Sequence, residues 1–241
     1  MMDFSVLIKT HERPNCLRRL MASLHDYYPT VPVLVADDSP TEGMAVRINK
    51  IRGGTVVVHS IIANSGLSYG RNYLVDHCTT PYFLLFDDDF RITEDSDLEG
   101  LVEYVRNGIF DLAGASLRLN GAIYHFEGFL DLKPPDLHLT HTHQGDKPAQ
   151  CDIVFNCFAG ITEQIRDVRW DNELLMAEHI DFFLRCQKYG VSVGHIPGVI
   201  VDHCPDRENT EYAKARDQLQ KKCEPIWRNK WGITNISGGL G

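Results

Sequence analysis

The sequence predicts an α/β fold with a mostly parallel central sheet flanked by helices. Three observations carry that reading. Strand-like and helix-like segments alternate through the first half, the rhythm of consecutive β-α-β units. The strands are nearly continuous apolar runs, as in sheets buried on both faces. Polar clusters follow the first, second and fourth strands at residues 10–13, 37–38 and 87–89, and ligands bind outside the carboxyl ends of open parallel sheets.

Residues 4–8 form the first strand. A helix runs from Asn15, a cap candidate, to Tyr28, with Leu17, Leu20, Met21 and Leu24 on one face. Residues 31–36 and 55–62 are the next strands, residues 68–78 a helix, and residues 82–86 the fourth strand. Beyond it, residues 111–119 and 122–130 read as a strand pair turning at Asn120-Gly121. Residues 133–150, with three prolines and His138, His141 and His143, read as a mobile loop. Residues 151–158 form a strand, and residues 163–168 and 176–189 form helices. Residues 191–201 form one or two strands broken at Pro197-Gly198.

A hydrophobic fraction of 43% is that of a soluble globular protein. Lys and Arg number 24 against 33 Asp and Glu, a net charge of −9, which argues against a broad nucleic-acid surface. No run approaches the roughly 18–20 apolar residues of a membrane span. The first strand begins almost at the initiator Met, so no secretory signal or anchor is expected. Seven cysteines without a tight framework point to a reducing compartment. The expected location is cytoplasmic. Residues 213–232 carry six basic and two acidic residues with Trp227 and Trp231. They suit either a peripheral contact with the inner membrane face or a docking helix with a solvated basic face.

Asp87-Asp88-Asp89 is the strongest chemical signal. At the end of an extended strand, residues two apart share a face. Asp87 and Asp89 are therefore expected to address one cation while Asp88 turns elsewhere. Three adjacent carboxylates repel and need a cation or strong donors. The plain alternative is a solvated acidic turn, which the apolar run Tyr82-Phe-Leu-Leu-Phe86 disfavours by setting the triplet on a buried sheet's edge.

Here the chain resembles GT-A-fold glycosyltransferases of the family 2 type. Within them it is most similar to β-1,4-N-acetylgalactosaminyltransferases of the ganglioside-synthase kind. The matching stretches are Lys9-Thr10 with Arg13, Tyr28 to Val31, Ala36-Asp-Asp-Ser39, Gly70-Arg-Asn72, Thr80 to Phe90, Ala177 to Leu184, and Val199 to His203. The resemblance implies a Rossmann-like nucleotide-binding half and an acceptor half, a UDP-sugar donor and a divalent metal. Thr10, Arg13, Asp37, Asp38, Arg71, Asp87 and Asp88 would meet the donor, with Asp37 accepting from the uracil N3–H. Asp89 and His203 would ligate the metal, with Asp87 on the ribose or near the ion. Carboxylate, diphosphate and one imidazole suit Mn²⁺, with Mg²⁺ second.

Relatives place Glu-Asp at the start of the helix expected at residue 176, and the Asp is the base. Here Glu178-His179 stands there, which makes His179 the favoured base, with Glu178 and Asp181 as rivals and an Asp181–Arg185 pair as the plain alternative. The histidines at 138, 141 and 143 fit no common zinc spacing with Cys151 or Cys157.

The implied reaction is inverting transfer of GalNAc or another hexose or hexosamine to an oligosaccharide or glycolipid hydroxyl, in bacterial capsule or lipopolysaccharide synthesis. Residues 1–205 would be the catalytic domain and 206–241 a helical tail. Three rivals remain. A nucleotidyltransferase would show a glycine-rich loop after the first strand. A non-catalytic sugar-nucleotide or glycan-binding subunit would not need the carboxylate triplet. A glycoside hydrolase also pairs carboxylates but needs no nucleotide pocket.

Overall fold

The computed structural model describes residues 2–40, 56–142, 145–205 and 210–239. Its strands are β1 (Phe4–Thr10), β2 (Val33–Asp37), β3 (Val56–Ser60), β4 (Tyr82–Asp87), β5 (Phe90–Arg91), β6 (Leu112–Leu119), β7 (Ala122–Tyr124), β8 (Glu127–Lys133), β9 (Asp136–Thr142), β10 (Ala149–Cys151), β11 (Cys157–Ile161), β12 (Val193–His203) and β13 (Asn235–Gly238). The helices are α1 (Pro14–Tyr27), α2 (Gly66–His77), α3 (Leu98–Arg106), α4 (Thr162–Val168), α5 (His179–Tyr189) and α6 (Thr210–Lys230).

The main sheet runs β10-β12-β6-β11-β4-β1-β2-β3, with β5 against β12 and β7 against β6. Pairings β3-β2-β1-β4 and β6-β12 are parallel, whereas β11 is antiparallel to both its neighbours. All seven residues of β1 are buried, as a strand covered on both faces requires. Two apolar clusters lie on the sheet: one gathers Leu17, Leu20, Leu24, Leu101 and Val105 from α1 and α3. The other gathers Leu74, Phe182, Phe183 and Trp227 from α2, α5 and α6.

Register sets the functional edge. Thr10 pairs with Asp37 and Lys9 with Asp87, so three strands end level. Helix α1 starts at Pro14, one residue before the expected cap, because proline at the first helical position presets φ. Arg13 takes the cap position without a side-chain cap bond, and its guanidinium goes to the acidic edge instead.

Several expectations need correction. Residues 133–150 are not a loop throughout. The Leu137/Leu139 alternation, with both leucines buried, makes β9, and β9 pairs with β8 and β13 in a second, three-stranded sheet. The prolines 134 and 135 only mark the turn between β8 and β9. The strand expected after Asn120-Gly121 ends at Tyr124, and β8 leaves for the small sheet. The strand expected over 151–158 divides into β10 and β11. Residues 193–203 form one strand whose register slips between Ile196 and Ile200, around Pro197-Gly198. The helix expected from Met176 begins at His179, because Ala177 has a left-handed φ of 60°. In the tail, Trp227 is buried and Trp231 donates to Asp181 Oδ1 at 2.7 Å. Both tryptophans therefore pack against the domain. Among the described residues, no helix is long and apolar enough to cross a membrane.

Candidate active site

A cleft of about 590 Å³, lined by Lys9, His11, Asp38, Gly66, Leu175 and Tyr212 among others, adjoins a recess of about 230 Å³ lined by Thr10, Arg13, Arg71, Asp87, Asp88, Glu178 and His179. Both lie at the carboxyl ends of β1, β2 and β4. Lys9, His11, Leu67, Met176, Tyr212 and Arg216 line both.

The acidic edge is neutralised from two sides. Arg13 donates to Asp88 and, at 2.8 Å, to Asp89 Oδ2, while Thr10 Oγ1 donates to Asp88 Oδ2 at 2.6 Å. Arg71, 1% exposed, donates to Glu178 and, at 3.0 Å, to Asp87 Oδ1. Burial pulls the Arg71 guanidinium down, but the two carboxylates outweigh it and hold the charge firmly on. Burial pushes Asp88 up to about 7 against the pull of Arg13. Burial also pushes Asp89 up, yet His203 and Arg13 together bring it well below the usual carboxylate range.

Asp87 and Asp89 have different neighbours in the structure. The chain leaves the strand after Asp87 and turns at 88–89, so strand alternation ends there. Asp87 is held on Arg71, Asp88 is buried under Thr10 and Arg13, and Asp89 Oδ2 faces His203 Nε2 at 3.6 Å. Two ligands of one ion, each at about 2.1 Å, span such a separation. Asp89 and His203 thus fit a divalent cation, and a carboxylate with an imidazole suits Mn²⁺. Among the described residues no three His, Cys, Asp or Glu side chains form a complete metal site.

Asp37 is tied into its own turn, accepting from Ser39 N at 2.9 Å and Ser39 Oγ at 2.6 Å. Asp38 is the carboxylate that lines the larger cleft. It accepts from Lys9, from His11 Nδ1 at 2.8 Å and from Gly66 N at 2.8 Å. Burial raises the Asp38 carboxyl, but His11 and Lys9 outweigh it and keep it ionised. Gly66 is required there: its φ is 84°, and a Cβ would sit 2.5 Å from Leu175 Cα.

The three base candidates part company. Glu178 is committed to Arg71. Asp181 accepts from Trp231, outside the residues lining the cleft, and Arg185 donates to the carbonyls of Val168 and Arg169 rather than to it. His179 lines the recess, and its Nε2–H donates to Val154 O at 2.7 Å, which leaves the Nδ1 lone pair free to take a proton. Burial lowers its pKa below the ordinary imidazole value. Away from the cleft, His138 Nδ1 meets Ser237 Oγ at 2.9 Å and His141 Nε2 meets His125 O at 2.8 Å. They do not converge, and His143 lies outside the described residues.

Tyr212 and Arg216 of α6 were not foreseen. The Tyr212 ring lies 5.3 Å from the Arg13 guanidinium, within cation–π range. No local pattern marks them, because only the tertiary path of α6 brings them to the cleft.

These features define an α/β domain of the open-sheet class with its cleft at the carboxyl edge. The chain belongs to glycosyl transferase family 2, whose model matches residues 5–159. Human β-1,4 N-acetylgalactosaminyltransferase 1 is 31% identical over 211 residues, covering 83% of this chain and 38% of the relative. Mouse β-1,4 N-acetylgalactosaminyltransferase 2 is 32% identical over 210 residues, covering 83% and 39%. This chain therefore spans about two-fifths of their length. A crystal structure of GalNAc-T7 with UDP, GalNAc and Mn²⁺ superposes with a TM-score of 0.70 at 17% identity, covering 85% of this chain and 43% of that one. S. aureus TarS 1-349 in complex with UDP-GlcNAc gives 0.64 at 14%, covering 86% and 59%. The fold is the GT-A glycosyltransferase fold.

Proposed function

We propose that this protein is a metal-dependent, inverting glycosyltransferase that moves GalNAc or another hexose or hexosamine from a UDP-sugar to a glycan hydroxyl. The observation that carries the reading is the Asp89–His203 pair, joined through Arg13 to the recess that Arg13, Arg71 and His179 line. Family membership and the relatives' names support the transfer reaction and the UDP-sugar. In this reading residues 1–205 carry catalysis, and α6 of the tail (206–241) lines part of the cleft through Tyr212 and Arg216.

Asp89 and His203 would hold Mn²⁺, or Mg²⁺ as second choice. When bound, the ion supplies Lewis-acid stabilisation of the departing diphosphate. Arg13 and Arg71 add fixed positive charge to the adjoining recess, where their burial strengthens it. Asp38 lines the larger cleft as an ionised acceptor for a donor group of the nucleoside. His179 takes the proton from the acceptor hydroxyl through Nδ1, and the buried Arg71–Glu178–Asp87 cluster holds the segment that carries it.

His179→Gln is expected to lower kcat about 10²- to 10⁴-fold with little change in donor KM. The pH profile follows from the sign of the shift. A base must be unprotonated, and the His179 pKa lies below the free value of 6.5. The rate should be flat through neutrality and fall only below about pH 6.5. An acid limb centred above pH 7 would exclude His179 as the base.

The assay that tests the function incubates the protein with a panel of UDP-sugars, Mn²⁺ and glycoside acceptors and follows product. Release of UDP is the expected result; release of pyrophosphate would identify a nucleotidyltransferase instead.

A further inference from the structure

Two residues ahead of β11 stand at the acidic edge without a role so far. Cys157 pairs antiparallel with Phe86, which sets Asn156 level with Asp87. Asn156 lines the same recess as Asp87 and His179, and its Oδ1 is buried without a hydrogen-bond partner. An unsatisfied buried amide oxygen costs about 1–3 kcal/mol, so a donor from outside the chain is wanted there.

The preceding residue supplies a surface of a different kind. Phe155 is half-buried, and its ring stacks on Phe126 at 4.7 Å and 21°. Phe126 in turn lies near-parallel to the His179 ring at 6.3 Å and 25°. The result is a wall of near-parallel rings that leads from the candidate base to a partly open phenyl. A pyranose presents one face of ring C–H groups, which suits an aromatic surface, and hydroxyls at its edge, which suit a lone acceptor oxygen.

We propose that Phe155 and Asn156 form the subsite for the acceptor's reacting hexopyranose. Its C–H face lies against Phe155, one hydroxyl donates to Asn156 Oδ1, and a neighbouring hydroxyl reaches His179. This rests on the glycosyltransferase reading and adds to it the residues that select the acceptor. The donor's own sugar is the competing occupant of the same chemistry.

Saturation-transfer NMR with p-nitrophenyl β-galactoside, β-glucoside and N-acetyl-β-glucosaminide tests the proposal without requiring turnover. At least one glycoside should receive saturation from the wild-type protein. The transfer should be lost in Phe155→Leu, lost or reduced in Asn156→Ala, and regained in Phe155→Trp, while UDP affinity stays within about twofold. In the transfer assay Phe155→Leu should raise acceptor KM about tenfold at unchanged donor KM. Absence of saturation in the wild type, equal saturation in Phe155→Leu, or a matching rise in donor KM would each overturn the subsite. Failure of the glycosyltransferase reading looks different: wild-type protein then releases no UDP and is unaffected by UDP-sugars, whatever the glycosides do.

Discussion

Asp89→Asn is expected to lower UDP-sugar turnover by about 10³-fold while leaving the fold intact. The amide keeps the shape of the carboxylate and can still accept from Arg13, which now reaches Asp89 Oδ2 at 2.8 Å. What it loses is the negative charge that faces His203. Lewis-acid stabilisation amounts to several kcal/mol of transition-state energy, and each 1.36 kcal/mol is tenfold in rate. Stability should fall modestly, because Arg13 and His203 hold the Asp89 carboxyl in its charged form and the amide gives up that attraction. UDP release with Mn²⁺, read beside a thermal melt, separates the two effects. Wild-type turnover in the variant would refute the assignment of Asp89 to the metal.

Arg71→Met should have the largest effect on stability. The guanidinium is buried and bridges Glu178, itself 3% exposed, to Asp87. Removing it strands a desolvated carboxylate, which typically costs about 3–5 kcal/mol. For a chain of this size that corresponds to a fall in Tm of roughly 10 °C. The companion double variant Arg71→Met/Glu178→Leu removes both charges and should recover much of the loss, since the penalty belongs to the unpaired carboxylate. Thermal melts of the wild type and the two variants decide it. A single variant as stable as the wild type would mean that the cluster carries no structural weight.

Much of this was legible in the residues. Continuous apolar runs located β1 and β4, and the polar clusters after β1, β2 and β4 located the edge, because parallel strands must end level there. The resemblance singled out Arg71, Asp89 and His203, and the structure brings Asp89 and His203 together. The internal geometry of the triplet was not legible. Strand alternation was carried past the point where the chain turns; Asp88 was expected only to turn away from the cation, and it lies buried under Arg13. Asp181 and Glu178 stood as rival bases on one segment. The two carboxylates instead face Arg71 and Trp231 separately. In residues 133–150 the prolines drew attention from the Leu137/Leu139 alternation that builds β9. Tyr212 and Arg216 left no local trace, since their place depends on how a distant helix packs.

The central claim is that the carboxyl edge of this sheet takes a nucleoside diphosphate together with a divalent ion held by Asp89 and His203. Calorimetric titration of UDP into the wild-type protein, with and without Mn²⁺, tests it most directly. Mn²⁺ is expected to tighten UDP binding, and Asp89→Asn and His203→Ala are each expected to abolish this gain. Equal UDP affinity with and without the ion in the wild type would contradict it.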